Sequence, residues 1–260
     1  MNKRRLVAAL ACRAGGARLY GKPLQNLDIS GNITILDHLI AGMKACQEID
    51  EIVLGISEGH ENEIFVDYAK KHQISYIFGS QKDVLWRLIQ CGRMGKATDV
   101  FRITSECPFV AWELVSKAWL EHQENKNDIT VTDFMSEGVN FELYTLDALE
   151  KSHAKGGDYE RSEFCSAYAR RHPDEFKIQI IEPPQRLRRL DLRLTVDYPE
   201  DLILCRKIYN TFKMHAPHIP IEKIIQYLDS NPEIHQIVSS FVDQTPIWAS
   251  VVNMEYEDSN

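Results

Sequence analysis

Leu6–Cys12 reads LVAALAC, an apolar run without a single polar side chain, and it limits the fold more than any other segment. A strand with one face in water alternates polar and apolar residues, whereas an unbroken apolar run belongs in a strand covered by helices on both faces. EIVLGI at 51–56 has the same character, and Ile74–Phe78 and Asp99–Thr104 read as two more strands. Between them lie amphipathic stretches near 34–49, 60–72, 82–94 and 111–124 with helical spacing. Strands alternating with helices of this length form βαβ units, which predicts an α/β fold with a doubly wound, mostly parallel sheet. After Asp128–Asp133 the pattern shortens: an extended Val139–Thr145, a helix near 158–171, and extended runs at 176–181 and 190–196. These predict a small mixed insertion at about 133–190 and a mixed edge to the sheet. The stretch 198–214 is helical again, Pro220 opens another helix, and Asn231-Pro232 starts one more with proline in its first turn. We expect one domain over residues 1–240 and a tail at 241–260 that ends acidic and whose apolar stretch Pro246–Met254 suits a dimer contact.

Length and charge narrow the function. The 260 residues are enough for one large α/β domain with a full core. Thirty basic against 38 acidic residues give a net charge of −8, so the long-range field repels a nucleic-acid backbone and no nucleic-acid partner is expected. An anionic ligand must meet a local cluster of cations, and two exist: Arg13/Arg18/Lys22 and Arg186/Arg188/Arg189/Arg193. Six cysteines are scattered without a close pair, fitting neither a disulfide framework nor a zinc ribbon, and point to a reducing, cytoplasmic compartment. Lys3-Arg4-Arg5 followed by Leu6–Cys12 has the outline of a signal peptide, but its apolar run is at the short limit and Arg13 follows at once, so a buried first strand is expected. No apolar stretch approaches the ~18 residues of a membrane span, so no integral membrane protein is expected.

The loop after the first strand, Cys12-Arg13-Ala14-Gly15-Gly16-Ala17-Arg18-Leu19-Tyr20-Gly21-Lys22, stands at the carboxyl edge of the sheet, where open α/β sheets bind ligands. Glycines let backbone N–H groups approach an anion, and cations offset the charge of a reacting triphosphate. The plain alternative is a solvated basic turn. Gly16–Lys22, GARLYGK, also matches part of a P-loop, G-x-x-x-x-G-K, which would mean a kinase or NTPase. A P-loop needs Ser or Thr next, to hold Mg²⁺, and Pro23 stands there.

Four segments, ACRAGGARLYGKPL, FGSQKDVLWRL, FRITSECPFV and LRLTVDYPEDL, occur in order between residue 5 and about residue 230. With them the chain resembles the cytidylyltransferases of the spore coat polysaccharide type, relatives of the CMP-sialate and CMP-Kdo synthetases, whose fold is of the nucleotide-diphospho-sugar transferase kind. The resemblance implies that Arg13, Ala14, Gly15, Gly16, Arg18 and Lys22 hold the phosphates of CTP, with Arg13 and Lys22 catalytic and Lys22 nearest the α-phosphate. Gly16 replaces the usual serine and Tyr20 the usual proline. Ser80 and Arg87 correspond to the nucleoside side; Ser80 also suits a helix cap, and Asp83 is most simply explained by capping. Glu106 stands where relatives carry a magnesium-binding aspartate, and Asp197 matches the second ligand, so two carboxylates from separate strand ends would share Mg²⁺. Alternatively Glu106 is a surface acid before a proline turn and Asp197 a helix cap.

Acceptor recognition is implied for the insertion. Asp133, Glu137, Asn140 and Glu142 lie there, Asn140 and Glu142 are the candidates together with Arg193, and Phe164 stands where a histidine is usual. Arg186, Arg188, Arg189 and Arg193 otherwise make a charged edge strand. The implied activity is CTP-dependent formation of a CMP-activated acidic sugar and pyrophosphate for surface polysaccharide, by a homodimer. The changes at Gly16, Tyr20, Glu106 and Phe164 suggest a rival, a degenerate nucleotide-binding homologue acting as a partner subunit.

Overall fold

A computed structural model describes residues 4–243. The chain begins with β1 (Leu6–Cys12), a small hairpin of β2 (Asn26–Asp28) and β3 (Ile33–Thr34), and α1 (Ile35–Ala45). Then come β4 (Glu51–Ser57), α2 (Ile64–His72), β5 (Ser75–Gly79), α3 (Val84–Met94), β6 (Asp99–Arg102) and α4 (Val115–Glu124). The insertion carries β7 (Ile129–Val131), β8 (Glu142–Thr145), α5 (Leu146–Lys155), α6 (Asp158–Arg161), α7 (Ala167–Arg171) and β9 (Ile178–Ile180). It is followed by α8 (Pro199–Phe212), α9 (Ile221–Ser230) and α10 (Pro232–His235).

The main sheet has the order β5-β4-β1-β6-β8-β7-β9. β8 runs against both of its neighbours, and the other adjacent pairs are parallel. The expected doubly wound, mostly parallel sheet with a mixed edge is therefore present. β1 lies inside it, and its side chains alternate between two cores. Leu6, Ala8, Leu10 and Cys12 join the cluster that includes α1, α8 and α9, while Val7 and Ala9 pack with Leu85, Leu88 and Ile89 of α3. Both faces are dry, which is why LVAALAC could not alternate. The basic start is thus followed by a central strand. All six cysteines are free and buried, and no helix among the described residues is long and apolar enough to cross a membrane.

Three parts differ from expectation. The helix expected over 158–171 is two short helices, because the Ser162 hydroxyl donates to the Tyr159 carbonyl at 2.5 Å and the Cys165 thiol to the Ser162 carbonyl at 3.4 Å, local bonds that compete with the helical ladder. The run 190–196 forms no strand. It is pinned at two places, where Glu137 N and O bond Leu192 O and Leu194 N and where Val196 N bonds Glu106 O. Gly138, at φ 93°, permits that approach, since a Cβ there would stand 2.6 Å from the Thr195 nitrogen. The hairpin β2–β3, the strand β7 and the helix α5 were not anticipated; the first two are very short, whereas α5 carries a readable Thr145 cap bonded by Ala148 N at 3.1 Å.

His38 of α1 shows how tightly the core is closed. Its ring is buried and meets Tyr209 of α8 edge-on at 5.2 Å and Phe109 at 6.3 Å. Burial, helped by repulsion from His218, pushes its pKa down to about 4. The unfolded chain therefore takes up this proton near pH 6.5 while the folded protein refuses it until about pH 4. Stability from this residue is present above pH 6.5 and is lost as pH falls through that window, by on the order of 3 kcal/mol. In His38→Gln, the loss of unfolding free energy between pH 7 and pH 4.5, measured by urea titration, is expected to shrink by most of that amount.

Candidate active site at the carboxyl edge of the sheet

The loop leaving β1 is closed on itself. Gly21 N donates to Ala14 O at 2.7 Å, and Gly21, at φ 60°, turns the chain into a short 3-10 turn at Lys22–Leu24. Asn62, just before α2, is 2% exposed and anchors the other side: its Oδ1 accepts from Ala14 N at 2.7 Å while its Nδ2 donates to Glu58 O at 3.1 Å. A Cβ on Gly16 would stand 2.5 Å from the Leu19 carbonyl oxygen and 3.8 Å from Lys22 Cε. The serine expected here from the resemblance therefore cannot occupy this position without moving the loop, and the glycine lets the Lys22 stem lie against the backbone. Ala14 is buried, whereas Arg13, Gly16 and Arg18 are exposed. Arg13 makes no ion pair among the described residues. The chain after Lys22 continues into β2 rather than a helix, so the structural context of a P-loop is missing.

Lys22 and Arg18 converge on one carboxylate. Lys22 Nζ lies 2.5 Å from Asp197 Oδ1, Arg18 Nη2 lies 3.5 Å from the same oxygen, and Arg193 Nη2 donates to Asp197 Oδ2 at 2.8 Å. Burial opposes the Asp197 charge, but the Lys22 bond and charge, Arg193 and Arg18 outweigh it and hold its pKa below the ordinary carboxylate value. Asp197 does not cap α8. That role falls to Asp201, whose Oδ2 accepts from both Asp197 N and Tyr198 N at 2.9 Å. Arg193 is 4% exposed and also donates to Asp201 Oδ1 at 2.9 Å and Glu137 Oε2 at 2.5 Å. It lies under the site as a charged joint between the insertion, the 192–196 segment and α8. Breaking such a buried pair costs about 3–5 kcal/mol, because the partner charge is left stranded.

Glu106 comes to the same place through the backbone. Val196 N bonds Glu106 O at 3.0 Å, which sets the half-buried Glu106 beside Asp197 at the end of the 192–196 segment. Burial raises its pKa above the ordinary value; the Lys22 charge works against this rise and Asp197 adds to it. No group of three or more His, Cys, Asp or Glu suited to a metal exists among the described residues. Two carboxylates nevertheless suit Mg²⁺ in donor type, since that ion is usually bound through one or two carboxylates together with substrate phosphates.

The remaining candidates are dispersed. Gln81 Nε2 lies 3.9 Å from where a Cβ on Gly15 would stand, which brings the loop after β5 against the β1 loop. Ser80 there is exposed and accepts from Lys82 N at 3.3 Å, while the cap of α3 is Asp83, bonded by Trp86 N at 2.8 Å. Arg87 is 2% exposed, and its Nη1 donates to Gly55 O at 2.8 Å and Cys12 O at 3.2 Å. It ties the carboxyl ends of β1 and β4 together beneath the loop. Glu142 is buried against Arg102, with Tyr144 Oη at 2.6 Å and Ser166 Oγ at 2.8 Å. Burial opposes its charge, yet Arg102, Arg170 and Tyr144 keep its pKa low. Arg170 grips Asp133 with bonds of 2.9 and 3.1 Å, and the half-buried Asn140 leaves its Oδ1 without a partner among the described residues. Arg186, Arg188 and Arg189 pair with Glu222, Glu182 and Asp191/Asp229 away from Asp197. Phe164 stacks on Tyr159 at 5.1 Å.

Sequence reasoning missed Asn62, Asp201 and Tyr198. Asp201 was readable as the acid at the third position of a Pro-Glu-Asp helix start, whereas nothing local marks Asn62. Asn62→Ala is expected to lose about 1–3 kcal/mol by stranding the Ala14 N–H, and limited trypsin digestion should then cut faster after Arg13 and Arg18.

Comparison with known proteins agrees with this arrangement. The family model described as Cytidylyltransferase matches residues 7–236. A protein of Methanocaldococcus jannaschii described as uncharacterized is 29% identical over 91% of this chain and 95% of its own length. The spore coat polysaccharide biosynthesis protein SpsF of Bacillus subtilis is 26% identical over 86% and 94%. In fold, a cytidylyltransferase from Leptospira borgpetersenii superimposes with a TM-score of 0.80 at 22% identity, covering 90% of this chain and 98% of the other. A CMP-2-keto-3-deoxy-manno-octonic acid synthetase complexed with CTP gives 0.60 at 12% identity, covering 80% and 99%. The match from β1 through α10 and the cation-lined loop at the sheet edge lead to one conclusion: this chain belongs to the cytidylyltransferase family and is a nucleotidyltransferase.

Proposed function

We propose that the protein transfers CMP from CTP to an acidic sugar, releasing pyrophosphate and supplying an activated sugar for surface polysaccharide. The observation that carries this is the gathering of Lys22 and Arg18 on Asp197, with Arg13, which makes no ion pair among the described residues, on the same loop. An acceptor oxygen attacks the α-phosphorus, and the bond from that phosphorus to the β-phosphate bridge breaks as pyrophosphate leaves. Lys22 meets the charge growing on the α-phosphate, while Arg13 and Arg18 hold the leaving phosphates. The loop's closure by Asn62 and Gly21 fixes the backbone that carries these groups before substrate arrives, so that only side-chain bonds need be exchanged. Mg²⁺ held by Glu106 and Asp197 would supply further charge neutralisation between phosphate oxygens. Arg102 and Arg170 are already matched by Glu142 and Asp133, so the acceptor carboxylate needs a donor elsewhere, whereas the open Oδ1 of Asn140 can accept from an acceptor hydroxyl. The relative named for spore coat polysaccharide and the fold neighbour complexed with CTP support the nucleotide and the pathway class. We place the enzyme in the cytoplasm as a homodimer; the Pro246–Met254 stretch expected to serve that contact lies outside the described residues.

The test is pyrophosphate release from each of the four ribonucleoside triphosphates with Mg²⁺ against a panel of acidic sugars. CTP with at least one nonulosonate is expected to react; CTP binding without turnover on any acceptor would favour the partner-subunit alternative instead. Lys22→Ala is expected to lower kcat/KM about 10²–10³-fold, the size seen when one preorganised stabiliser is removed. Glu106→Ala should raise the Mg²⁺ needed for half-maximal rate by at least ~10-fold, since even outer-shell partners are worth about 10–100-fold in metal affinity.

A further inference from the structure

Arg18 rests on an aromatic platform that no part of the reaction has yet used. Its guanidinium carbon lies 5.0 Å over the ring of Tyr198, and its Nη1 donates to the Tyr198 hydroxyl at 3.3 Å. Phe241, in the segment following α10, stacks on the same ring at 4.2 Å with an interplanar angle of 8°. A ring stacked so nearly parallel covers one face of Tyr198, and the Arg193 guanidinium also lies over this ring, farther off at 6.0 Å. The Tyr198 backbone is fixed as well, because its N–H is held by Asp201 at 2.9 Å. A half-exposed arginine in a glycine-rich loop would otherwise sample many rotamers, and immobilising one on binding weakens affinity by roughly twofold to tenfold.

We propose that Tyr198, clamped by Phe241, is the positioning residue for Arg18, holding its guanidinium at the phosphate side of the loop before nucleotide arrives. The proposal deepens the nucleotide assignment made above and rests on it. The ring face supplies a cation–π contact and the hydroxyl a hydrogen bond, and Phe241 couples the end of the described chain to the β1 loop through two rings. Tyr198 itself touches neither the triphosphate nor the acceptor in this scheme; it acts through Arg18.

The test is a double-mutant cycle read by calorimetric titration of CTP with Mg²⁺ and no acceptor, so that turnover plays no part. Tyr198→Leu is expected to weaken CTP binding about fivefold to tenfold, the worth of a cation–π contact with one hydrogen bond. Tyr198→Phe keeps the face and should restore affinity to within about twofold of the wild type. In an Arg18→Ala background the same Tyr198→Leu change should alter affinity by less than about twofold, because the two residues act as one unit. Phe241→Leu leaves Tyr198 and Arg18 chemically intact and should reproduce the Tyr198→Leu pattern at smaller size, which keeps the test open if Tyr198→Leu folds poorly. Equal losses with and without Arg18, or no loss in either background, would overturn the proposal. Wild-type protein that binds CTP while the cycle is additive removes this proposal alone; wild-type protein that binds no triphosphate removes the nucleotide assignment and this proposal with it.

Discussion

The site depends on one carboxylate being surrounded by more positive charge than it can use. Asp197 is held by Lys22, Arg18 and Arg193, which arrive from the β1 loop and from the segment that precedes α8. The Lys22 pair joins parts of the chain 175 residues apart in sequence, so it ties the β1 loop to the segment before α8. Arg193 is the fixed member, because Asp201 and Glu137 also bind it in a buried position. Lys22 and Arg18 are the more accessible members, on a loop rich in glycine.

That division of labour explains how an acidic protein can handle a polyanion. The net charge of −8 gives no long-range help, and the attraction must come from a few cations at short range. While no nucleotide is present, Asp197 keeps Lys22 and Arg18 neutralised and ordered. In the proposed reaction a triphosphate would offer them stronger acceptors, and as their bonds passed to it Asp197 and Glu106 would be left with uncompensated charge, the condition in which two carboxylates take a divalent cation. Nucleotide and metal would then bind cooperatively, by charge exchange rather than through any large movement.

The fold was legible because each strand of the parallel half is a short run with an apolar centre, set apart from the next by a helix with clear periodicity; Leu6–Cys12 and Glu51–Ser57 needed no tertiary information. The β1 loop was legible for a similar reason, since its cations, glycines and position after a central strand are all local. The insertion was harder. The run 190–196 has the composition of a strand but is held at isolated points by Glu137 and Glu106, which no local pattern encodes. Arg87, Arg193 and Glu142 read as surface binding groups because charged residues are usually exposed, yet each is buried with partners supplied from distant segments. Asn62 and Phe241 contribute only by where the chain places them, so composition could not single them out.

The most direct measurement of the charge-exchange account is a crystal structure of the protein with CTP and Mg²⁺. The account predicts the triphosphate within hydrogen-bonding distance of Arg13, Arg18 and Lys22, with the 2.5 Å contact between Lys22 and Asp197 opened and Asp197 and Glu106 facing the cation. A triphosphate bound elsewhere, with Lys22 still seated on Asp197, would contradict it.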